Sequence, residues 1–377
     1  MEFSILAISD PNKLSKIEKD VDLFINSLSE SPFIFSAFTR QAMRRSLSQG
    51  HTPLLLIVTV ERKIIGLAQL TLRKSFGLRF AESMFGYAYS PDFIIDDRYR
   101  EACIKVVLDF IFKKLKCECV SLYMPAESPN PKILGQKCKE SKIHFRQKEP
   151  SYIAHRTIPV DCSWNDFQEK RGRNFKRRFK KIVQHLNKAG QWRIIRVDDE
   201  GNMQDVPERI LAVERMSWKE ELRTSKKVAA DEDLLSILAG SQSLAGEFPE
   251  LRQVVWFLEL NGQTIAYTLA LQYRRIAFIA KTSYDNRYKM LYPGLFINNS
   301  AIEDFFNNTN VERIDLMTNL SFHNAWTVKS LSRVQLLMWR MIPLYAFELV
   351  FSGIGARTAT NFLRNVLLRR GKTSKSS

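Results

Sequence analysis

Residues 283–296, SYDNRYKMLYPGLF, combine the end of a strand, a loop of aromatic and charged side chains, and a Pro-Gly step that opens a helix. Proline suits a first helical turn because its missing N–H donor is not needed there, and glycine lets a ligand approach the backbone. Free amides and the helix dipole at such a point can hold a pyrophosphate. The segment therefore predicts an anion site at Tyr292, Pro293, Gly294 and Leu295.

The charge run 169–181, EKRGRNFKRRFKK, is a second candidate for phosphate contact. Four apolar residues recur at helical spacing and predict a buried face: Phe175, Phe179, Ile182 and Leu186. On another face Arg173, Arg177 and Lys181 follow each other at i, i+4 and i+8, where like charges repel unless an anion neutralises them. We predict a basic helix over 170–186 that is either a solvated surface or an anion-binding face.

Four segments occur in an order that resembles a known family. They are Trp164 with the basic helix, the run from Glu214 to Lys219 (ERMSWK), Tyr284-Asp285-x-x-Tyr288 with Pro293-Gly294, and Asp315 followed by Phe322-His323-x-x-Trp326. Together they resemble the GNAT-like acyltransferases of the CelD or BioF2-like type, which are related to the tandem-GNAT Fem-type aminoacyl transferases. These motifs cover about 155–330.

The resemblance implies an N-acetyltransferase or related enzyme that moves an acyl group from acetyl-CoA or another acyl-CoA to an amine of a sugar, amino acid or cell-envelope precursor. Losing a proton from that amine needs a base, and His323 is the only histidine inside the motifs, with Asp285 and Asp315 as alternatives. The acceptor or donor is expected to contact Trp218, Lys219, Tyr284, Tyr288, Trp326, Arg173 and Arg177. The structural alternatives are a surface loop for His323, a turn cap for Asp285 and a strand end for Asp315.

The chain departs from the family pattern at two positions, and it lacks one signature. It has Tyr292 where members usually have serine, His323 where they have lysine, and no Gln/Arg-x-x-Gly-x-Gly/Ala signature. These departures leave the acceptor open. Two other functions therefore compete: a Fem-like transferase that uses aminoacyl-tRNA held by the basic helix, and a non-catalytic GNAT scaffold that binds nucleic acid or a membrane surface.

An internal repeat organises the rest of the chain. The hairpin 53–72 turns at Glu61-Arg62-Lys63, and the hairpin 254–273 turns at Asn261-Gly262, a strong hairpin signal. They superimpose at an offset of 200, and each is followed by a strand, a helix (97–115 or 294–306) and another strand. We therefore predict an α/β protein of two tandem GNAT-like units, each a mixed, mostly antiparallel sheet flanked by helices.

Length and charge agree with this organisation. We place a degenerate GNAT-like unit at 1–155, the acyltransferase unit at 156–345, and a basic amphipathic helix with a disordered tail at 346–377. The formal net charge of +17 attracts phosphate-bearing partners. Five cysteines without a CxxC pair or clustered histidines predict neither a disulfide framework nor a metal site.

The ends of the chain bear on localisation. The N-terminus has no basic-then-apolar signal pattern, and the apolar region 334–356 is interrupted by Arg340, Pro343 and Glu348. We therefore predict a cytoplasmic protein. The basic C-terminal segment suggests peripheral contact with an anionic membrane surface as an alternative to packing on its own domain. The oligomeric state is left open.

Overall fold

Two β-sheets with helices on their faces make up the computed structural model. It describes residues 2–75, 78–84, 92–149, 155–198, 203–217, 238–242, 244–326 and 329–340. The predicted C-terminal segment 346–377 lies outside these residues.

The first sheet and its helices come mainly from the first half of the chain. The strands are β1 Phe3–Ile8, β2 Thr52–Val60, β3 Lys63–Ser75, β4 Leu78–Ser83, β5 Ile94–Ile95, β6 Cys119–Pro125 and β7 His144–Lys148. The helices are α1 Pro11–Leu14, α2 Glu18–Leu28, α3 Ser36–Ser48, α4 Arg100–Asp109 and α5 Asn130–Glu140.

The second half supplies the second sheet. Its strands are β8 His155–Pro159, β9 Trp192–Asp198, β10 Leu251–Leu260, β11 Gln263–Tyr273, β12 Ile276–Tyr284, β13 Arg313–Asp315 and β14 Lys329–Leu331, and β15 Arg333–Trp339 follows. The helices are α6 Trp164–Arg171, α7 Arg173–Ala189, α8 Val206–Arg215 and α9 Pro293–Asn308.

The two hairpins repeat each other in detail. The β2–β3 register shifts between Val58 and Thr59, and the β10–β11 register shifts at the positions 200 residues later, between Leu258 and Glu259. Each turn has two central residues with positive φ, the geometry that two-residue hairpins favour. A bulge and a turn at matching positions support the predicted duplication.

The two sheets have matching strand orders, apart from β15 and β8. β15 lies between β6 and β7 in the first sheet, and β8 lies between β13 and β14 in the second. The first sheet runs β1-β2-β3-β4-β6-β15-β7 and the second β14-β8-β13-β12-β11-β10-β9, and the pairs β4–β6 and β12–β13 are parallel. The predicted boundary near 155 falls at the start of β8. However, β15 lies inside the predicted second unit and pairs with β6 and β7 of the first sheet. The chain therefore returns to the first sheet after completing the second.

Three large apolar cores lie between the sheets and the helices. A central core joins α2, α3 and α8 to the facing sides of both sheets, as Ile25, Val213 and Phe257 illustrate. Outer cores lie between the first sheet and α4 and α5, and between the second sheet and α6, α7 and α9. Since the central core draws on both halves, the two units are packed together through it. The predicted α/β class with two mostly antiparallel sheets is confirmed.

The prediction of one continuous basic helix over 170–186 was wrong. The chain breaks at Gly172, whose φ of 81° lies outside the helical region, and α6 and α7 form on either side. Glycine adopts this conformation without the steric cost that a Cβ would bring. The predicted apolar face is nevertheless buried in α7, at Phe175, Phe179, Ile182 and Leu186.

Candidate functional site

Two parallel strands of the second sheet separate beside the predicted anion site. β12 pairs with β13 only from Ile276 to Phe278, yet β12 continues to Tyr284. The register of β12 against β11 also shifts between Leu269 and Ala270, which leaves Ala280 as the extra residue of a bulge. Bulges bend a strand and end pairing. The last six residues of β12 thus have no β13 partner in the described structure.

α9 begins next to this diverging edge. Tyr292 adopts a left-handed conformation (φ 52°, ψ 43°), Pro293 occupies the first turn, and no side chain in the described part of the chain caps the helix. The Phe296 N–H donates to the Tyr292 carbonyl. The amides of Gly294 and Leu295 are therefore the first-turn donors, where a helix favours an anion.

Gly294 also has a packing role. A Cβ at this position would lie 2.8 Å from Cδ1 of Tyr284, closer than real Cβ contacts. The side of Gly294 on which a side chain would stand is therefore filled by the Tyr284 ring. The missing side chain lets α9 start against the end of β12.

Asp285 forms a turn with Arg287. The carboxylate is 1% exposed; its Oδ1 accepts the Arg287 N–H at 2.9 Å, and its Oδ2 accepts from Arg287 Nη2 at 2.6 Å. These bonds realise the structural alternative for Asp285, a turn cap. The first unit repeats the arrangement, because Asp96 accepts the Arg98 N–H at 3.1 Å and the Arg98 side chain at 2.6 Å.

This turn is an internal repeat that the sequence analysis missed. The segments 96–99 and 285–288 read Asp-Asp-Arg-Tyr and Asp-Asn-Arg-Tyr. In each, the aspartate N–H donates to the matching hairpin isoleucine, Ile65 or Ile265, at 3.0 and 2.8 Å. A search for Asp-x-Arg-Tyr would have found the pair. It marks the same point of both units, where the sheet passes to the helix.

The other two predicted bases are also buried. His323 is 4% exposed, its Nδ1 lies 3.3 Å from the Thr318 carbonyl oxygen, and burial lowers its pKa to about 4. It is not on an exposed surface loop, and it is neutral at physiological pH. Asp315 is 1% exposed, accepts the Met317 N–H at 2.6 Å, and lies 3.5 Å from Nδ1 of His155. Asp315 thus ends β13 with a side-chain cap.

The predicted acceptor residues do not form one groove. Trp326 is fully buried and its Nε1 donates to Asn299 Oδ1 of α9 at 3.0 Å, so the expectation that it contacts a substrate was wrong. Its indole belongs to the outer core instead. Tyr288 is partly buried, and its hydroxyl donates to Gln263 Oε1 at 3.3 Å. Trp218 and Lys219 lie outside the described residues.

α7 presents a basic surface beside the core of the second unit. Arg173 and Arg177 are exposed, as are Arg178, Lys180, Lys181 and Lys188. Lys176 pairs with Glu169 of α6. A face of this kind attracts phosphate-bearing partners. The structure thus places the predicted basic face on the surface.

A buried polar cluster lies on the α8 side of the bulged strand. Glu214 of α8 is 1% exposed; it accepts the Tyr267 hydroxyl at 2.6 Å and lies 3.3 Å from Lys281 Nζ. Close by in sequence and register are two further hydroxyls, Ser217 and Ser283, buried without a hydrogen-bond partner in the described structure. Glu214 was named from the sequence only as a member of a motif, and no local pattern pointed to Lys281.

Among the described residues, the first unit shows no diverging edge between β4 and β6. Its β4 ends at Ser83, and Ser83 Oγ accepts the Tyr123 N–H of β6 at 2.9 Å. The side chain therefore bridges the two strands where their pairing stops. In the part of the second unit that the structure describes, no such bridge joins β12 to β13 beyond Phe278.

Four of the five cysteines, Cys103, Cys117, Cys119 and Cys138, are buried, and Cys162 is partly buried. Burial raises the pKa of Cys103 to about 12, and the thiols of Cys117, Cys119 and Cys138 are shifted upward for the same reason. No group of three His, Cys, Asp or Glu side chains able to hold a metal ion occurs among them. A search of the same residues finds no helix long and apolar enough to span a membrane.

Comparison with known proteins identifies the domain. Residues 173–326 match the sequence model of the acetyltransferase (GNAT) domain. The second unit thus contains a GNAT domain, and the predicted resemblance to this superfamily is confirmed. No curated protein matches the chain.

Two solved structures share the overall fold of this chain. A conserved protein of unknown function from Bacteroides thetaiotaomicron is 10% identical, with a TM-score of 0.53 over 86% of this chain and 97% of that one. The C-terminal domain of an Agrobacterium fabrum protein provisionally named lysylphosphatidylglycerol synthetase is 11% identical, with a TM-score of 0.51 over 90% and 96%. A tandem GNAT protein from the clavulanic acid pathway is more distant, at 10% identity and a TM-score of 0.44 over 89% and 98%.

Proposed function

We propose that the protein is an acyltransferase that moves an acyl group from acyl-CoA to an amine of a sugar, amino acid or cell-envelope precursor. The observation that carries the proposal is the uncapped first turn of α9 beside the edge of β12 that has lost its β13 partner. A helix N-terminus holds phosphate groups, and an unpaired strand edge offers amides and carbonyls to an extended ligand.

The donor would bind across these two features. The first-turn amides of Gly294 and Leu295 would hold the pyrophosphate, and Tyr292, which is 51% exposed, flanks them. Arg173 and Arg177 on α7 supply positive charge on the same unit. Acyl-CoA contributes an activated thioester, with acetyl-CoA as the simplest donor. In this proposal the second unit carries the site.

The chemistry needs a proton acceptor near the amine. The amine nitrogen forms a bond to the acyl carbon, the carbon–sulfur bond breaks, and the amine proton leaves to a base or to the thiolate. His323 is neutral but, with its pKa near 4, a weak base. Asp285 and Asp315 already accept backbone N–H groups. Glu214 joins these three as a candidate, because its carboxylate is buried beside a cation and a phenol.

The experiment is calorimetric titration of CoA and acetyl-CoA. Gly294→Ala places a methyl group against the Tyr284 ring, so we expect the start of α9 to shift and CoA affinity to fall at least fivefold. Gly246→Ala is the matched control, because a Cβ there meets nothing within 4 Å. Failure of the unmodified protein to bind either compound at millimolar concentration refutes the proposal.

The exposed cations of α7 support a second candidate, transfer from aminoacyl-tRNA. Six exposed basic residues on one helix suit a phosphate backbone. Binding of tRNA would then weaken steeply with salt, and Arg173→Gln with Arg177→Gln would reduce the slope. A flat salt dependence, together with tight CoA binding, leaves acyl-CoA as the donor.

A non-catalytic scaffold is the third candidate, supported by the engagement of Asp285 in a turn. Loss of acyl transfer in Glu214→Gln, in a variant that still binds CoA, would exclude it. Retention of function when every candidate base is replaced would support it.

A further inference from the structure

A cavity of about 450 Å³ lies at the junction of the two units. Ser31 and Ile34 line it from the connection between α2 and α3, Phe93 and Arg100 from the region before and at the start of α4, and Phe278 and Arg313 from the second sheet. This volume is within the range of about 300–1,000 Å³ typical of small-molecule sites. The cavity shares no lining residue with the proposed donor site.

Two residues that line this cavity each carry a buried polar atom without a hydrogen-bond partner in the described structure. In the described structure neither Ser31 Oγ nor Arg313 Nε makes a hydrogen bond, although both atoms are shielded from solvent. Such groups normally find partners, because leaving one unsatisfied in the interior is costly. A ligand oxygen that reaches either atom would satisfy it.

The guanidinium of Arg313 is only half used. Its Nη2 donates to Glu30 Oε2 at 3.1 Å, whereas Nε, the other donor on the same edge, is free. A carboxylate or phosphate can take both donors at once. The Glu30 side chain is 70% exposed, and exposed ion pairs are weak. An incoming anion can therefore replace Glu30, which then moves into solvent.

The remaining charges around the cavity are already engaged. Asp97 pairs with Arg100, whose Nη1 also donates to Asn130 Oδ1 at 2.6 Å. Asp92 Oδ1 accepts from the Phe93 N–H at 2.7 Å and from Asn130 Nδ2 at 2.9 Å. Of the two arginines in the described lining of the cavity, Arg313 is thus the one that can bind a ligand.

We propose that this cavity binds a small organic anion, a carboxylate or phosphate with an apolar portion. The anionic group bonds Arg313 through Nε and Nη2 and Ser31 through its hydroxyl. The apolar portion lies against Ile34, Phe93 and Phe278. The site is built by both units, and its occupant would hold them together through contacts from each side.

Calorimetric titration with phenyl phosphate and benzoate tests the proposal, with benzyl alcohol as the neutral analogue and inorganic phosphate as the analogue without an apolar part. We expect saturable binding of at least one aromatic anion and weaker binding of both analogues. Tighter binding of phenyl phosphate than of benzoate indicates a phosphate ligand, and the reverse order indicates a carboxylate.

Variants separate the site from general charge effects. Arg313→Gln should weaken the aromatic anion at least tenfold, and Glu30→Gln should strengthen it severalfold by freeing the guanidinium. Arg275→Gln is the matched control, because Arg275 pairs with Glu312 outside this cavity. If Arg313→Gln does not fold, the Glu30→Gln result decides. Equal affinity in Glu30→Gln and the unmodified protein, or equal binding of benzyl alcohol, overturns the proposal.

A CoA titration of the same variants keeps the two proposals apart. CoA affinity should not change in Arg313→Gln or Glu30→Gln, because neither residue belongs to the donor site. Anion binding without CoA binding would refute the proposed donor site alone. CoA binding without anion binding would refute the junction site alone.

Discussion

Replacement of Lys281 by methionine should destabilise the protein by about 3 kcal/mol. Glu214 is 1% exposed, and the Lys281 side chain is 11% exposed, so their ion pair is removed from water on both sides. Lys281→Met keeps an unbranched stem of similar length but removes the ammonium group that lies beside the Glu214 carboxylate. Removing one partner of a buried pair costs about 3–5 kcal/mol.

The structure sets the expected value at the lower end of this range. The distance from Lys281 Nζ to Glu214 Oε2 is 3.3 Å, long for a charge-assisted bond, and Tyr267 continues to donate to the carboxylate at 2.6 Å. Tyr267→Phe should cost about 1.5–3 kcal/mol, because a hydrogen bond to a charged group is lost. Replacing both charges, in Glu214→Gln with Lys281→Met, should cost less than Lys281→Met alone, since neither charge of the pair then remains in the interior.

Urea unfolding followed by circular dichroism at pH 7.5 measures these free energies, and an unchanged m-value shows that the unfolded state is comparable. The exposed pair of Arg275 and Glu312 is the control, because its side chains are 63% and 59% exposed. Arg275→Met should cost less than about 0.5 kcal/mol. If Lys281→Met matches this control, or if the double replacement is the least stable variant, the cluster is not the buried ion pair described here.

Three further predictions concern titration and the repeat. Burial raises the pKa of Asp22 to about 6, despite hydrogen bonds from Ser36, so the folded state binds this proton more tightly than the unfolded state. The contribution of Asp22 to the stability of the fold therefore falls as pH rises through 6. At pH 8 Asp22→Asn should be more stable than the unmodified protein, by on the order of 2 kcal/mol. If urea unfolding shows the same pH dependence for both proteins, this prediction is wrong. Burial lowers the pKa of His323 to about 4, so the contribution of His323 to stability falls as pH drops from 6.5 through 4. The NMR signals of its imidazole should still be those of the neutral form at pH 6. Titration of these signals near pH 6.5 would contradict the burial of this side chain. Because Glu61 and Arg62 have positive φ, replacing them with Asn-Gly should raise thermal stability by about 1 to 2 kcal/mol, and no gain means the turn is unstrained.

Local patterns made much of the second unit predictable. The β10–β11 hairpin follows from alternating apolar residues around Asn261-Gly262, and the start of α9 follows from Pro293. The buried face of α7 follows from helical spacing. Each of these depends on residues a few positions apart, so the sequence is sufficient.

Contacts between distant residues set the rest. The sequence motif did not show whether Trp326 lines a substrate groove or lies in the core. The packing of the outer core decides this, because it buries the indole and places its N–H against Asn299 of α9. Lys281 carried no signal, because its partner Glu214 is 67 residues away in sequence and meets it across the central core.

The repeat, the hairpins and the helix starts were determined by the sequence itself, because turn chemistry and apolar spacing act over a few residues. Tertiary structure alone decided that β15 returns to the first sheet, that Tyr284 fills the space beside Gly294, and that Arg313 and Ser31 meet at one cavity. These depend on strand pairing and packing between segments tens to hundreds of residues apart, and such energies exist only once the whole chain has folded.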